Sequence, residues 1–175
     1  GINIGGGTSD VAVIALGSIV SWTSLRVAGN RFDQAIRDYV KKKYALAIGE
    51  QTAEAVKIEI GSAMPTKEKM EYEIRGRDLI SGLPKDVALT SNEIAEALNP
   101  YLIEIAGSVQ SVFNVTPPEL VADIMEKGMI LSGGSAQLHY LPEFFERTLG
   151  VQAYVAEDPL FCVAKGTGLI LSHLD

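Results

Sequence analysis

The chain has 175 residues, 47% of them hydrophobic and 21% charged, enough to bury a sizeable core. It has no run near the roughly 20 apolar residues that a membrane span needs. Its 15 Lys and Arg stand against 22 Asp and Glu, and the formal charge of −7 works against a phosphate backbone or an anionic lipid surface, so nucleic acid is not an expected partner. The single cysteine, Cys162, excludes a disulfide framework and a Cys-based metal cluster, and it fits a reducing cytosol.

Gly1 leads straight into Ile-Asn-Ile, with no initiator Met, basic n-region or signal peptide, which predicts a piece of a longer chain. Three strands open the sequence: Ile2 to Ile4, the apolar run Val11 to Leu16, and Ile19 to Val27. Gly17-Ser18 suits the hairpin between the last two, giving an antiparallel meander. Helical spacing follows, with Phe32, Ile36, Tyr39 and Val40 on one face behind a cap at Asn30 and ahead of a stop at Gly49. Ala53, Val56, Ile60 and Ala63 mark a second helix with Thr52 as N-cap. Strict alternation through Met70, Tyr72 and Ile74 predicts a half-solvated strand. Val87 and Leu89 offer it a partner across a long loop, Gly76 to Lys85.

Thr90 and Glu93 have capping-box spacing before the stripe Ile94, Leu98, Leu102, Ile105, Val109 and Val112, in which Pro100 should start or bend the helix. Thr116-Pro117-Pro118-Glu119 reads as a second start, with an N-cap Thr, ending by Gly128. Met129 to Ser132 is a short buried strand. A helix around Phe144 and Phe145 then stops at Gly150, Val151 to Val155 is a strand, and a last helix from Pro159 carries Val163, Ile170 and Leu171. A meander followed by helix–strand alternation predicts a mixed α/β sheet flanked by helices, with about residues 31–90 inserted into it.

Two glycine loops share one chemistry. Gly5-Gly6-Gly7-Thr8-Ser9 leaves the first strand, and Gly133-Gly134-Ser135-Ala136 leaves Met129 to Ser132. Consecutive glycines let backbone N–H groups close on an anion without Cβ interference, and Thr8 and Ser9 add hydroxyl donors. Either loop alone is also an ordinary tight turn. Two of them at the ends of buried strands are a better signal of a phosphate-bearing ligand. Neither has P-loop or dinucleotide-fingerprint spacing.

Beyond these loops, the segments INIGGGTSDVAV, LRVAGNRFD, IGEQTAE, EIGSA, RGRDL, LSGGSA and AEDPL resemble, in collinear order over nearly the whole chain, the second half of the MreB family, bacterial actin-like proteins that determine cell shape. The resemblance implies an actin-like ATPase fold in which two domains close on ATP and Mg²⁺. This chain would be domain II. Residues 1–30 with 93–175 would form its ribonuclease-H-like subdomain and 31–92 a smaller inserted α+β subdomain, with domain I outside the chain. By the same resemblance Gly5, Gly6 and Gly7 form a phosphate loop, and Thr8 lies beside the γ-phosphate and the attacking water. Glu54 and Lys57 would touch the adenosine, with Glu50 and Ala53 nearby, and Gly133, Gly134, Ser135 and Ala136 would form the adenosine loop. Asn3 stands where the family usually has Asp holding the Mg²⁺ hydration shell, so the resemblance gives Asn3 a contact through metal-bound water and puts turnover in question. Ser135 replaces the usual third glycine. The implied protein is a cytoplasmic, ATP-dependent filament at the inner face of the membrane, self-associating and held by a RodZ-type adaptor. This chain alone would bind no lipid and would not work as an ATPase.

Other polar residues receive plainer readings. Asp33 and Asp158 sit where helix caps are expected, and Asp10 is a Mg²⁺ neighbour at most. Cys162 packs on the last helix, His139 and His173 lie on the surface, and Trp22 belongs to the core. Lys41-Lys42-Lys43 complement a helix C-terminus. Two alternatives remain open: the ATPase lobe of another actin-fold protein (a sugar or acetate kinase, or a heat-shock chaperone), and an interaction domain without turnover, which Asn3 motivates.

Overall fold

A computed structural model describes residues 1–156, 161–163 and 170–172, and the chain divides into two compact units. The first unit comprises Gly1–Gly29, Leu102–Gln137 and Leu141–Asp175. Its sheet contains β1 (Ile2–Ile4), β2 (Ser9–Ala15), β3 (Ser18–Leu25), β7 (Met129–Ser132) and β8 (Ala153–Val155), in the order β3-β2-β1-β7-β8. The meander β1-β2-β3 is antiparallel, whereas β7 runs parallel to β1 and to β8. Buried Ile2, Ile4, Val11, Val13 and Leu131 form the sheet's share of the core. The parallel arm follows from the helix that intervenes between β7 and β8, α5 (Leu141–Leu149), because a parallel pair needs a crossover longer than a tight turn.

The second unit comprises Asn30–Tyr101 and Leu138–Tyr140. It holds α1 (Gly29–Tyr44), β4 (Leu46–Ala47), α2 (Glu50–Ile60) and the hairpin β5 (Glu71–Asp78) and β6 (Pro84–Thr90), with sheet order β4-β5-β6. Helix α3 (Ser91–Asn114) begins here and contributes its C-terminal half to the first unit. The alternation in β5 is realised, with Ile74 buried between exposed Glu73 and Arg75. Thr90 and Glu93 form a reciprocal capping box: the Thr90 N–H donates to Glu93 Oε1 at 2.9 Å and the Glu93 N–H to Thr90 Oγ1 at 3.2 Å.

Several sequence expectations shift. The first hairpin turns at Leu16-Gly17, with φ of 53° and 79°, one residue earlier than Gly17-Ser18. Helix α1 ends at Tyr44, not near Gly49, because buried Leu46 and the Leu79 N–H bond to Ala45 O draw the chain into β4. Gly49 is the N-cap of α2 and Thr52 lies inside that helix. Pro100 sits within continuous α3, since burial of Leu98, Leu102 and Ile105 outweighs one missing backbone bond. Thr116 does not cap α4 (Pro118–Lys127): its hydroxyl donates to Val112 O at 2.6 Å and pairs with Ser21 Oγ, leaving Pro117 as N-cap. Trp22 is 56% exposed on the edge strand β3 and not in the core.

Where a last helix is expected, the chain forms two short antiparallel strands, β9 (Phe161–Val163) and β10 (Ile170–Ser172). Short apolar runs fit either element by periodicity alone. The expectations for Asp158 and His173, and for the packing of the Cys162 side chain, fall outside the described residues.

Candidate functional site

The first unit gathers both glycine loops. β1 and β7 lie side by side and parallel, with Asn3 opposite Ser132, so Gly5–Thr8 and Gly133–Ala136 leave the same end of the sheet. The outer end of neighbouring parallel strands is where open α/β sheets place ligands. The first loop is closed by a bond from the Gly5 N–H to Thr8 O at 3.0 Å, and Gly5 O accepts the Gly29 N–H at 2.9 Å. Ser135 is 7% exposed, and its hydroxyl donates to Gly5 O at 3.3 Å, tying one loop to the other. The residue that departs from the expected glycine thus serves as a brace.

Gly133 is the glycine that geometry requires. Its φ is +89°, and a Cβ there would stand 2.3 Å from Ile4 O and 2.6 Å from Asn3 Oδ1. Gly7 and Gly134 instead border open space. Beneath the loops runs a row of polar side chains across three strands. Asn3 pairs with Asp10 on one side and with Ser132 on the other, and directly opposed residues share a face. All three are buried, at 1%, 7% and 2% exposure. Ser132 Oγ donates to Asn3 Oδ1 at 3.3 Å, and Thr8 Oγ1 donates to Asp10 Oδ2 at 3.2 Å. Asn3 and Thr8 are therefore both at the loop ends. Asp10, which sequence reasoning gave only a marginal place, sits between them. Its cross-strand register could not be read before the pairing was known.

The second unit holds the remaining predicted residues on α2. Glu50, Glu54 and Lys57 follow one another at helical spacing, while Ala53 is fully buried and packs in the core of the second unit. A cleft of about 420 Å³ is lined by Asn30, Asp33, Gln34, Arg37, Glu50 and Glu54. Lys57 Nζ lies 2.9 Å from Asp33 Oδ1, so Asp33 forms a cross-helix ion pair in place of the predicted cap. Arg37 donates to Ile48 O at 3.2 Å and approaches Glu50 at 4.0 Å. Asp33 and Arg37 carried no motif of their own and enter the cleft only because α1 packs on α2. Among the described residues no cluster of three or more His, Cys, Asp or Glu could hold a metal directly.

A mixed sheet with paired glycine loops at the ends of adjacent parallel strands defines a lobe of the actin-like fold. Solved structures agree. The chain superposes on MreB5 of Spiroplasma citri bound to ADP with a TM-score of 0.87 at 41% identity, covering 91% of this chain and 48% of that one. The same protein bound to AMPPNP gives the same values. The MamK double helical filament matches at a TM-score of 0.77 and 19% identity, covering 90% of this chain and 49% of that one, a likeness of fold alone.

The family described as MreB/Mbl protein matches residues 2–175, and the chain belongs to it. It is 48% identical over 174 residues to the cell shape-determining protein MreB of Escherichia coli (strain K12), covering 99% of this chain and 50% of that protein. It is 44% identical over 174 residues to the cell shape-determining protein Mbl of Bacillus subtilis (strain 168), covering 99% and 52%. The chain thus spans about half the length of the curated relatives it matches.

Proposed function

We propose that this chain is one lobe of a bacterial actin-like cytoskeletal protein that binds ATP with Mg²⁺, forms nucleotide-dependent filaments and sets cell shape by organising wall synthesis. The observation that carries the reading is the pair of glycine loops above a buried polar row at one end of the β1–β7 pair. The bound ADP and AMPPNP in the Spiroplasma citri relative support it.

In this reading the loop Gly5-Gly6-Gly7 wraps the phosphates, with the N–H groups of Gly6 and Gly7 as donors while the Gly5 N–H closes the loop on Thr8 O, and Thr8 holds the attacking water near the γ-phosphate. Gly133, Gly134, Ser135 and Ala136 border the adenosine in the first unit, where the Ser135 brace limits how far the loop can open. In the second unit Glu54 and Lys57 are the proposed adenosine contacts, with Glu50 at the start of the same helix. The polar row fits a hydrated Mg²⁺: one carboxylate and one amide oxygen lie within the row, and Mg²⁺ usually keeps its waters and takes few protein oxygens. Bound there, the ion would neutralise phosphate charge. Phosphoryl transfer depends mainly on such positioning and charge stabilisation, so half a clamp supplies little turnover by itself.

Filaments require self-association, and the MamK filament shows that the shared fold supports polymers. A RodZ-type adaptor and a position at the inner membrane face complete the proposal. The test is sedimentation and electron microscopy of the complete protein with and without ATP and Mg²⁺. Nucleotide-dependent filaments are expected. Turnover stimulated by a small metabolite, with no polymer, would move the protein to the kinase class. Neither polymer nor turnover would make it an interaction domain.

A further inference from the structure

The cleft on the second unit holds one carboxylate more than its cations match. Its lining includes Asp33 from α1 and Glu50 and Glu54 from α2. Lys57 Nζ stands 2.9 Å from Asp33 Oδ1, with the two side chains 15% and 18% exposed, and Arg37 approaches Glu50 at 4.0 Å. Glu54, by contrast, takes no hydrogen bond or ion pair among the described residues. Helix α2 by itself would not produce this arrangement. Glu54 and Lys57 lie three residues apart, a spacing at which a Glu pairs with a Lys along the helix surface. The Asp33 carboxylate on the neighbouring helix draws the ammonium away instead. Both members of that pair are largely shielded from water, so the contact is stronger than one between exposed side chains. The carboxylate left over has acceptors only, and the ligand group it takes must therefore donate hydrogen bonds.

We propose that Asp33 is a positioning residue for the nucleoside end of the ligand: it claims the Lys57 ammonium and so keeps the Glu54 carboxylate open as the acceptor for the two ribose hydroxyls. This rests on the nucleotide reading and adds to it a residue with no assigned part. Two adjacent hydroxyls match the two oxygens of one carboxylate, and hydrogen bonds to an ionised acceptor are the stronger kind. With Asp33 made neutral, Lys57 loses its counter-charge and closes on Glu54, whose oxygens it then occupies. Asp33 acts on the ligand through Lys57 and Glu54, which makes it a positioning residue and not a catalytic one.

The test is calorimetry on the complete protein with ADP and with 2′,3′-dideoxy-ADP, which lacks both hydroxyls. The parent is expected to bind ADP about tenfold or more tighter than the dideoxy form, as fits hydrogen bonds to a charged acceptor. Asp33→Asn keeps the size of the side chain and is expected to bring the two affinities together, chiefly by weakening ADP. In the double exchange Asp33→Asn with Lys57→Met no ammonium remains to close on Glu54, and the preference for ADP is expected to return. Loss of a merely structural ion pair would not restore it. Equal binding of the two nucleotides by the parent would overturn the proposal and leave the nucleotide reading standing. An unchanged preference in Asp33→Asn, or one that stays lost in the double exchange, would overturn it as well. No binding of either nucleotide by the parent would instead remove the nucleotide reading on which the proposal stands.

Discussion

Leu16 shows how a single side chain can sit against its backbone. It has φ of 53°, is 87% exposed, and occupies the first corner of the β2–β3 turn with Gly17 at the second. Two positive φ values in a two-residue loop define the turn that favours Asn-Gly, and a leucine there pays steric strain without any burial in return. Leu16→Asn is expected to raise stability by about 1 kcal/mol, read as a higher urea midpoint with an unchanged slope. Gly133 is the opposite case. Its conformation and the 2.3 Å approach to Ile4 O leave no room for a methyl group. Gly133→Ala should destabilise the first unit by roughly 2–4 kcal/mol, from αL strain plus a shifted strand end, whereas Gly134→Ala, in open space, should cost less than about 1 kcal/mol. Equal melting temperatures for the two variants would refute the distinction.

At the scale of elements, the start of α3 carries the densest polar network of the second unit. Glu93 Oε1 accepts from the Thr90 N–H, and its Oε2 accepts from Lys43 Nζ at 2.7 Å and from the Tyr44 hydroxyl. One carboxylate therefore caps α3 and pins the C-terminal turn of α1. Burial pushes the Glu93 carboxyl up, but the hydrogen bonds from Lys43, Tyr44 and the Thr90 N–H outweigh it and hold the group below the usual carboxylate range. A depressed folded value places this stabilisation above the unfolded value, near pH 4.3, and removes it as pH falls through the lower folded one. Glu93→Gln is expected to cost about 1–2 kcal/mol at neutral pH, through the cap and the Lys43 contact together. That difference should shrink steadily in denaturation curves taken from about pH 5 downward. A gap that stays constant to the acid limit would show that the charge on Glu93 contributes nothing. The hairpin β5–β6 has its own local device. At its tip the Ile80 N–H and the Ser81 hydroxyl both bond to Asp78, and these contacts hold the Asp78 carboxyl low.

For the whole molecule, the expectation turns on the chain covering about half of its relatives. On the proposed function the chain taken alone supplies one set of phosphate donors, and phosphoryl-group binding depends on charge stabilisation from more than one wall. Calorimetry on the 175-residue chain should therefore detect weak ADP binding or none, while the complete protein binds. Sub-micromolar affinity in the isolated chain would overturn the two-walled reading. Much of the architecture was legible in the sequence because its signals are local. The alternation in β5, the capping box at Thr90, the Gly128 and Gly150 stops and the two glycine loops each depend on neighbours a few residues away. The resemblance to the MreB family extended those loops to a ligand. What the sequence by itself determined was the mixed α/β class, the family and the positions of both loops. The tertiary structure decided the rest. Pairing across the sheet set Asp10 against Asn3, and helix packing joined Asp33 to Lys57. Burial turned Ala53 inward, and an edge position left Trp22 in solvent. The division is physical: propensity and capping act over a few residues, whereas register, burial and ion pairing depend on groups far apart in the chain, whose meeting no local pattern encodes.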